Sequence, residues 1–171
     1  MTWSRFLAVA FVALTTGACS VPGAGSAFSP AASANGRFPA TEARIFELIN
    51  AERKRRGLPA LVVNERLDRM ASIQAQNMAH FQKMAHVLPE SKLPTLTDRA
   101  YHVAYPFGQL TENIALGYPD AETVVHGWMT SKGHRANILH SEVEETGIAI
   151  AKSSAGAVYY CQVFGRRADS L

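Results

Sequence analysis

Only two cysteines occur in the 171 residues, Cys19 and Cys161. A chain so poor in cysteine has no disulfide framework to lean on, and its folded part must bury enough core to hold itself together. The compact signatures of familiar chemistry are missing as well. There is no H-E-x-x-H, no paired C-x-x-C, no G-x-S-x-G and no glycine-rich phosphate loop, so no standard catalytic class can be assumed. Long hydrophobic runs are also lacking, since the apolar stretch FLAVAFVALTT near the start is too short to span a bilayer as a stable anchor. Aromatic residues are few, at 9%, and none interleaves with the one dense basic run, Arg53-Lys54-Arg55-Arg56. A single-strand nucleic-acid platform would need that interleaving. Placed at a helix end, the run is expected to face solvent and complement the helix dipole.

What is present divides the chain into three parts. Residues 1–18 have the form of a signal peptide: a short n-region, MTWSR, and then the apolar run. The small residues Gly17 and Ala18 before Cys19 resemble a bacterial lipobox, which would make Cys19 a lipid-carrying first residue. The alternative is simple signal cleavage near the same point, with release. If Cys19 carries lipid, Cys161 has no partner, and its place in the strand-like AVYYCQVFG predicts a buried, inert thiol. Residues 19–37 are rich in Ser, Ala, Gly and Pro and read as a flexible tether. The folded domain is expected over 38–171, a size that can bury a proper core.

Within the domain, residues 41–57 place Ile45, Leu48 and Ile49 on one helical face, with Thr41 as the expected N-cap and Gly57 as the stop. A second helix is expected after Asn64, with Leu67, Met70, Ala71, Gln74, Met78 and Phe81 in helical spacing. Residues 82–119 contain several prolines and no long periodic run, so loops around one short helix near Asp98–His102 are expected. Asp120 caps a third helix carrying Val124, Val125, Trp128 and Met129, which Gly133 is expected to end. TGIAIAK and AVYYCQVFG then alternate as two strands around a Ser153–Gly156 hairpin loop. Helices first and strands last predict an α+β fold, helices covering an antiparallel sheet.

Six histidines are present, and for any one of them a satisfied surface or core imidazole is the default. Three polar residues stand out from that default by position. His86 follows the second helix, Glu112 sits in TENIALG before the third, and His134 follows the third. Each is expected at the end of a rigid element, where a side chain can be aimed into a cleft.

The ordered series NAERKRRGLPALVVNERLDRMASIQAQNMA, MAH, TENIALG, VVHGWMTSKGHRANIL, TGIAIA and YYCQVFG resembles the CAP superfamily. These are the SCP-domain proteins: cysteine-rich secretory, antigen-five and pathogenesis-related proteins, here in a disulfide-free bacterial form. The resemblance implies an α-β-α sandwich with a large cleft, lined by two histidines and two acids that in some members hold a divalent cation such as Zn2+. It assigns His86 to the first histidine, Glu112 to the first acid and His134 to the second histidine. A different alignment would give that last place to Thr146. The second acid falls near Ser131, which has no carboxylate.

Three functions are compatible with this. One is an exported, membrane-anchored binding module whose cleft, at His86, Glu112 and His134, takes a lipid, peptide or cell-wall fragment, with or without a cation held by His86 and His134. The second is a zinc-assisted hydrolase or peptidase with Glu112 as general base. The third is a structural envelope protein in which the cluster only pins loops. The missing nucleophile favours a binding module over an enzyme, and no nucleic-acid partner is expected.

Overall fold

The structure, a computed structural model, describes residues 38–168. The expected signal peptide, the lipidated Cys19 and the tether lie outside the described residues. Five helices and four strands follow in the order α1 (Pro39–Lys54), β1 (Val62–Val63), α2 (Glu65–Phe81), α3 (Leu96–His102), β2 (Phe107–Leu116), α4 (Ala121–Thr130), α5 (Lys132–Ile138), β3 (Glu145–Lys152) and β4 (Val158–Arg167).

The sheet runs β1-β3-β4-β2, with β3, β4 and β2 antiparallel and the two-residue β1 added parallel to β3. Side chains alternate across it, and each face carries its own core. Tyr159, Cys161, Val163 and Ile114 pack with Leu67, Met70, Ala71 and Met78 of α2 on one side. Tyr160, Phe164, Ile148 and Ile150 pack with Ile45 and Ile49 of α1 and with Val124 and Trp128 of α4 on the other. This is the α-β-α sandwich expected from the sequence.

Several local expectations are corrected. Pro39, at the first turn of α1, starts that helix with Phe38 as N-cap, so Thr41 is not the cap. Proline suits that position because its missing N–H would have no intrahelical partner there. Arg53 is not solvated: its buried guanidinium donates to the carbonyls of Pro59, Ile138, His140 and Val143, tying α1 to the loop that leads into β3. Glu112 is not on a loop but inside β2, which pairs with β4 along its whole length. Gly133 does not end the third helix. The chain turns at Ser131 (φ −80°, ψ 125°) and re-enters a helix, so Gly133 and His134 both lie in α5.

Asn64 caps α2 as expected, accepting from the N–H groups of Arg66 and Leu67. Asp120 caps α4 through the N–H of Thr123.

Candidate functional site

β2 lies at one edge of the sheet, and TENIALG runs through it. Residues 112 and 114 of an edge strand turn backbone carbonyls away from the ladder, and such groups need partners. The helical motif supplies them. Trp128 Nε1 donates to the carbonyl of Ile114 at 3.2 Å, and Asn137 Nδ2 donates to that of Glu112 at 3.2 Å. The same Asn137 amide donates to Asn113 Oδ1 at 2.9 Å, while Asn113 Nδ2 donates to the His134 carbonyl at 3.1 Å. The two segments that mark the sequence are thus knitted to one another, and α5 is fixed against β2 by the backbone that carries Glu112. Asn113 is a fastening amide. Arg135 caps the end of α4, donating to the Met129 carbonyl at 3.5 Å.

Glu112 points to the opposite face, toward α2 and α3. Its Oε1 accepts from His86 Nδ1 at 2.9 Å, and its Oε2 accepts from Arg99 Nη2 at 2.5 Å. The Cys161 thiol also lies 3.5 Å from Oε2. Glu112 is 7% exposed and Arg99 fully buried, so this ion pair sits inside the protein. Arg99 Nη1 reaches on to Gln74 Oε1 at 2.6 Å, and Gln74 Nε2 donates to the carbonyls of Ala85 (2.6 Å) and His86 (3.4 Å). The loop that carries His86 is therefore held by the same network that holds Glu112. The His86 side chain itself stays 54% exposed.

His134 comes to this edge from the other layer. Burial lowers its pKa first, and the nearby His86 lowers it further, which keeps its imidazole neutral over a wider pH range. His86, Glu112 and His134 therefore gather at one edge. Thr146, the alternative for the second histidine, does not join them. It belongs to the sheet face that carries Ile148 and Ile150, is fully buried, and donates to the Val163 carbonyl at 2.9 Å. Ser131 marks the α4–α5 junction. Burial, with Glu112 as the next cause, pushes the Cys161 thiol well above its ordinary pKa, which makes it the inert group expected.

Sequence reasoning missed Arg99 and the polar role of Gln74. Gln74 did leave a signal, a polar residue on the otherwise apolar stripe of α2. Arg99 left none, because the partner that justifies its burial is contributed by a different element.

Among the described residues no three His, Cys, Asp or Glu side chains are arranged to hold a metal ion. Glu112 is already committed to Arg99 and His86. Two imidazoles supply half of the four donors that zinc usually takes. The chain's own residues therefore do not fit a closed metal centre.

The α-β-α sandwich is the fold of the SCP-type domains. Residues 46–164 match the CAP family of cysteine-rich secretory proteins, and the chain belongs to that family. It is 33% identical over 134 residues to the uncharacterized protein YkwD of Bacillus subtilis strain 168, covering 78% of this chain and 51% of that protein. It thus spans about half the length of that relative. Among solved structures it resembles an extracellular protein containing an SCP domain from Bacillus anthracis (TM-score 0.68, 29% identity, 75% of this chain and 41% of that one). It shares its fold with an outer surface protein of Borrelia burgdorferi (TM-score 0.66, 21% identity, 72% of this chain and 90% of that one).

Proposed function

We propose that the protein is an exported, membrane-tethered binding module, which takes a lipid, peptide or cell-wall fragment against the edge formed by His86, Glu112 and His134. The single observation that carries this reading is the commitment of Glu112. A general base must come within hydrogen-bond reach of the proton it removes, and the Glu112 carboxylate is buried, with one oxygen already accepting from Arg99 and the other from His86. That speaks against the zinc-assisted hydrolase. What remains available is the exposed imidazole of His86 with the neutral one of His134 beside it, groups suited to accepting hydrogen bonds from a ligand. A divalent cation such as Zn2+ enters this reading only as a shared guest, held by His86 and His134 with its other donors coming from the ligand. Export is supported by the apolar leader and by the extracellular and outer-surface settings named for two similar structures.

The test is a set of titrations of the full-length chain with zinc, lipid vesicles, a short peptide and a disaccharide-peptide wall fragment, each repeated on a His86→Ala/His134→Ala variant. At least one of the organic probes should bind the parent and lose about tenfold or more in affinity in the variant. Equal zinc uptake by both proteins would remove the cation. Equal behaviour toward every organic probe would reduce the cluster to a fastening between loops.

A further inference from the structure

A cation is drawn to a carboxylate by charge, and the charge of Glu112 is already matched. Arg99 lies wholly inside the protein, with Nη2 donating to Glu112 Oε2 at 2.5 Å. A guanidinium does not lose its proton in proteins, so the positive charge is permanent. It is also held in place. Arg99 Nη1 donates to Gln74 Oε1 at 2.6 Å, and the Gln74 amide nitrogen is committed in turn to the carbonyls of Ala85 and His86. The second oxygen of Glu112 is no freer, since His86 Nδ1 donates to it at 2.9 Å. An ion bridging Glu112 and the two imidazoles has to displace that proton. It then sits close to a fixed guanidinium, at a depth where like charges are poorly screened.

We infer that Arg99 is a specificity-determining residue: its buried charge, matched to Glu112, turns free divalent cations away from the edge and leaves His86 and His134 to an organic ligand. This deepens the function proposed above and rests on its reading of that edge as the binding site. Imidazole and carboxylate are donor types that zinc ordinarily takes, and the guanidinium behind them changes what they attract. Net stability is a weak reason for such a pair, because replacing a buried ion pair by apolar residues is often neutral or stabilising. Control over what the carboxylate attracts is a reason that the geometry supplies. The site is for the same cause convertible. With the guanidinium gone, Glu112 regains a charge that either meets a cation directly or makes His86 a better donor through the Nδ1–H bond.

The experiment is a calorimetric titration of the full-length chain, free of any affinity tag, with zinc alone. The parent should take up no more zinc than a His86→Ala/His134→Ala variant does. Arg99→Gln removes the charge and should bind one zinc about tenfold or more tighter than the parent. Adding Glu112→Gln to it should cancel the gain. Arg99→Lys keeps the charge and should stay at the level of the parent. An Arg99→Gln variant that binds zinc no better than the parent would overturn the inference. So would an equal gain in Arg99→Lys, which would make shape and not charge the cause. Zinc uptake by the parent that His86→Ala/His134→Ala loses would overturn it too, and this comparison decides alone if Arg99→Gln does not fold. No organic probe is present, so the result is separate from whether the edge takes a lipid, peptide or wall fragment.

Discussion

At the residue scale the protein uses its buried arginines in two different ways. Arg53 is surrounded by carbonyl oxygens and joins α1 to the loop before β3. Arg99 is matched to a carboxylate and joins α2, α3 and β2 around the site. Removing Arg99 leaves Glu112 buried and uncompensated, a change that costs about 3–5 kcal/mol in such pairs. Urea unfolding of Arg99→Met should show that loss. The Arg99→Met/Glu112→Gln double variant should recover part of it, because no charge is then stranded. Asp68 is a half-buried carboxylate on α2 whose Oδ1 accepts from the Ile148 N–H at 2.9 Å. Burial pushes its pKa up to about 6 despite that bond. A carboxyl whose folded pKa exceeds its unfolded one binds the proton more tightly when folded, so its contribution to stability rises as the pH falls from about 7 toward about 4. The melting temperature of Asp68→Asn, whose amide does not titrate, should rise relative to that of the parent as the pH goes from about 4 to about 7. Parallel curves would show that Asp68 does not titrate there.

At the element scale the sheet edges explain most of the architecture around the site. β1 covers β3 only at Glu145 and Thr146. Beyond it, the outward N–H of Ile148 goes to Asp68 and that of Ile150 to Glu42 Oε1 at 3.0 Å. At the other edge Trp128 and Asn137 satisfy carbonyls of β2. Each edge is thus closed by side chains from a covering helix, which blocks pairing with another strand. α2 can approach β3 this closely only because Gly147 has no side chain: a Cβ there would lie 2.0 Å from the Leu67 carbonyl carbon. Gly127 is also tight, but against the end of the Tyr118 side chain, 2.4 Å from its hydroxyl. Gly147→Ala should therefore cost more than the ~1–3 kcal/mol usual for overpacking, because backbone must move. Gly127→Ala should cost less, and its penalty should vanish in a Tyr118→Ala background. Equal penalties in urea unfolding would contradict this account. The helices α1, α2 and α4 and the β3–β4 hairpin were legible because their apolar period holds over many residues, helped at α2 and α4 by the caps Asn64 and Asp120. β2 was not, because TENIALG carries three polar residues in succession and its pairing partner, β4, lies some fifty positions later (Glu112 opposite Val163). The break at Ser131 was hidden for a related reason. A glycine two residues on offered a stop signal, while fastening by Asn113 and Asn137 is what keeps α5 helical and in place.

At the scale of the whole molecule, His86 and His134 belong to different layers and meet only because β2 is an edge strand, with one layer reaching it from each side. The sequence could name these residues but not Arg99, since the reason for burying an arginine appears only when α3 has been laid against β2. The same edge-on arrangement leaves His86 open to the surroundings, so what the site meets depends on where the domain is held. No helix among the described residues is long and apolar enough to cross a membrane. The proposed tethered module places retention on Cys19. Acyl chains contribute roughly 0.8 kcal/mol per buried CH2, and stable anchoring needs more than one such chain or a second signal. Cys19→Ser removes the acceptor for the lipid while leaving the domain over 38–168 untouched. Expressed with its own leader, the parent should fractionate with membranes and resist high salt, which screens charge but not acyl burial. The variant should move to the soluble exported fraction with its melting temperature unchanged. An undiminished membrane fraction for Cys19→Ser would refute the anchor, and release of both proteins would favour simple cleavage.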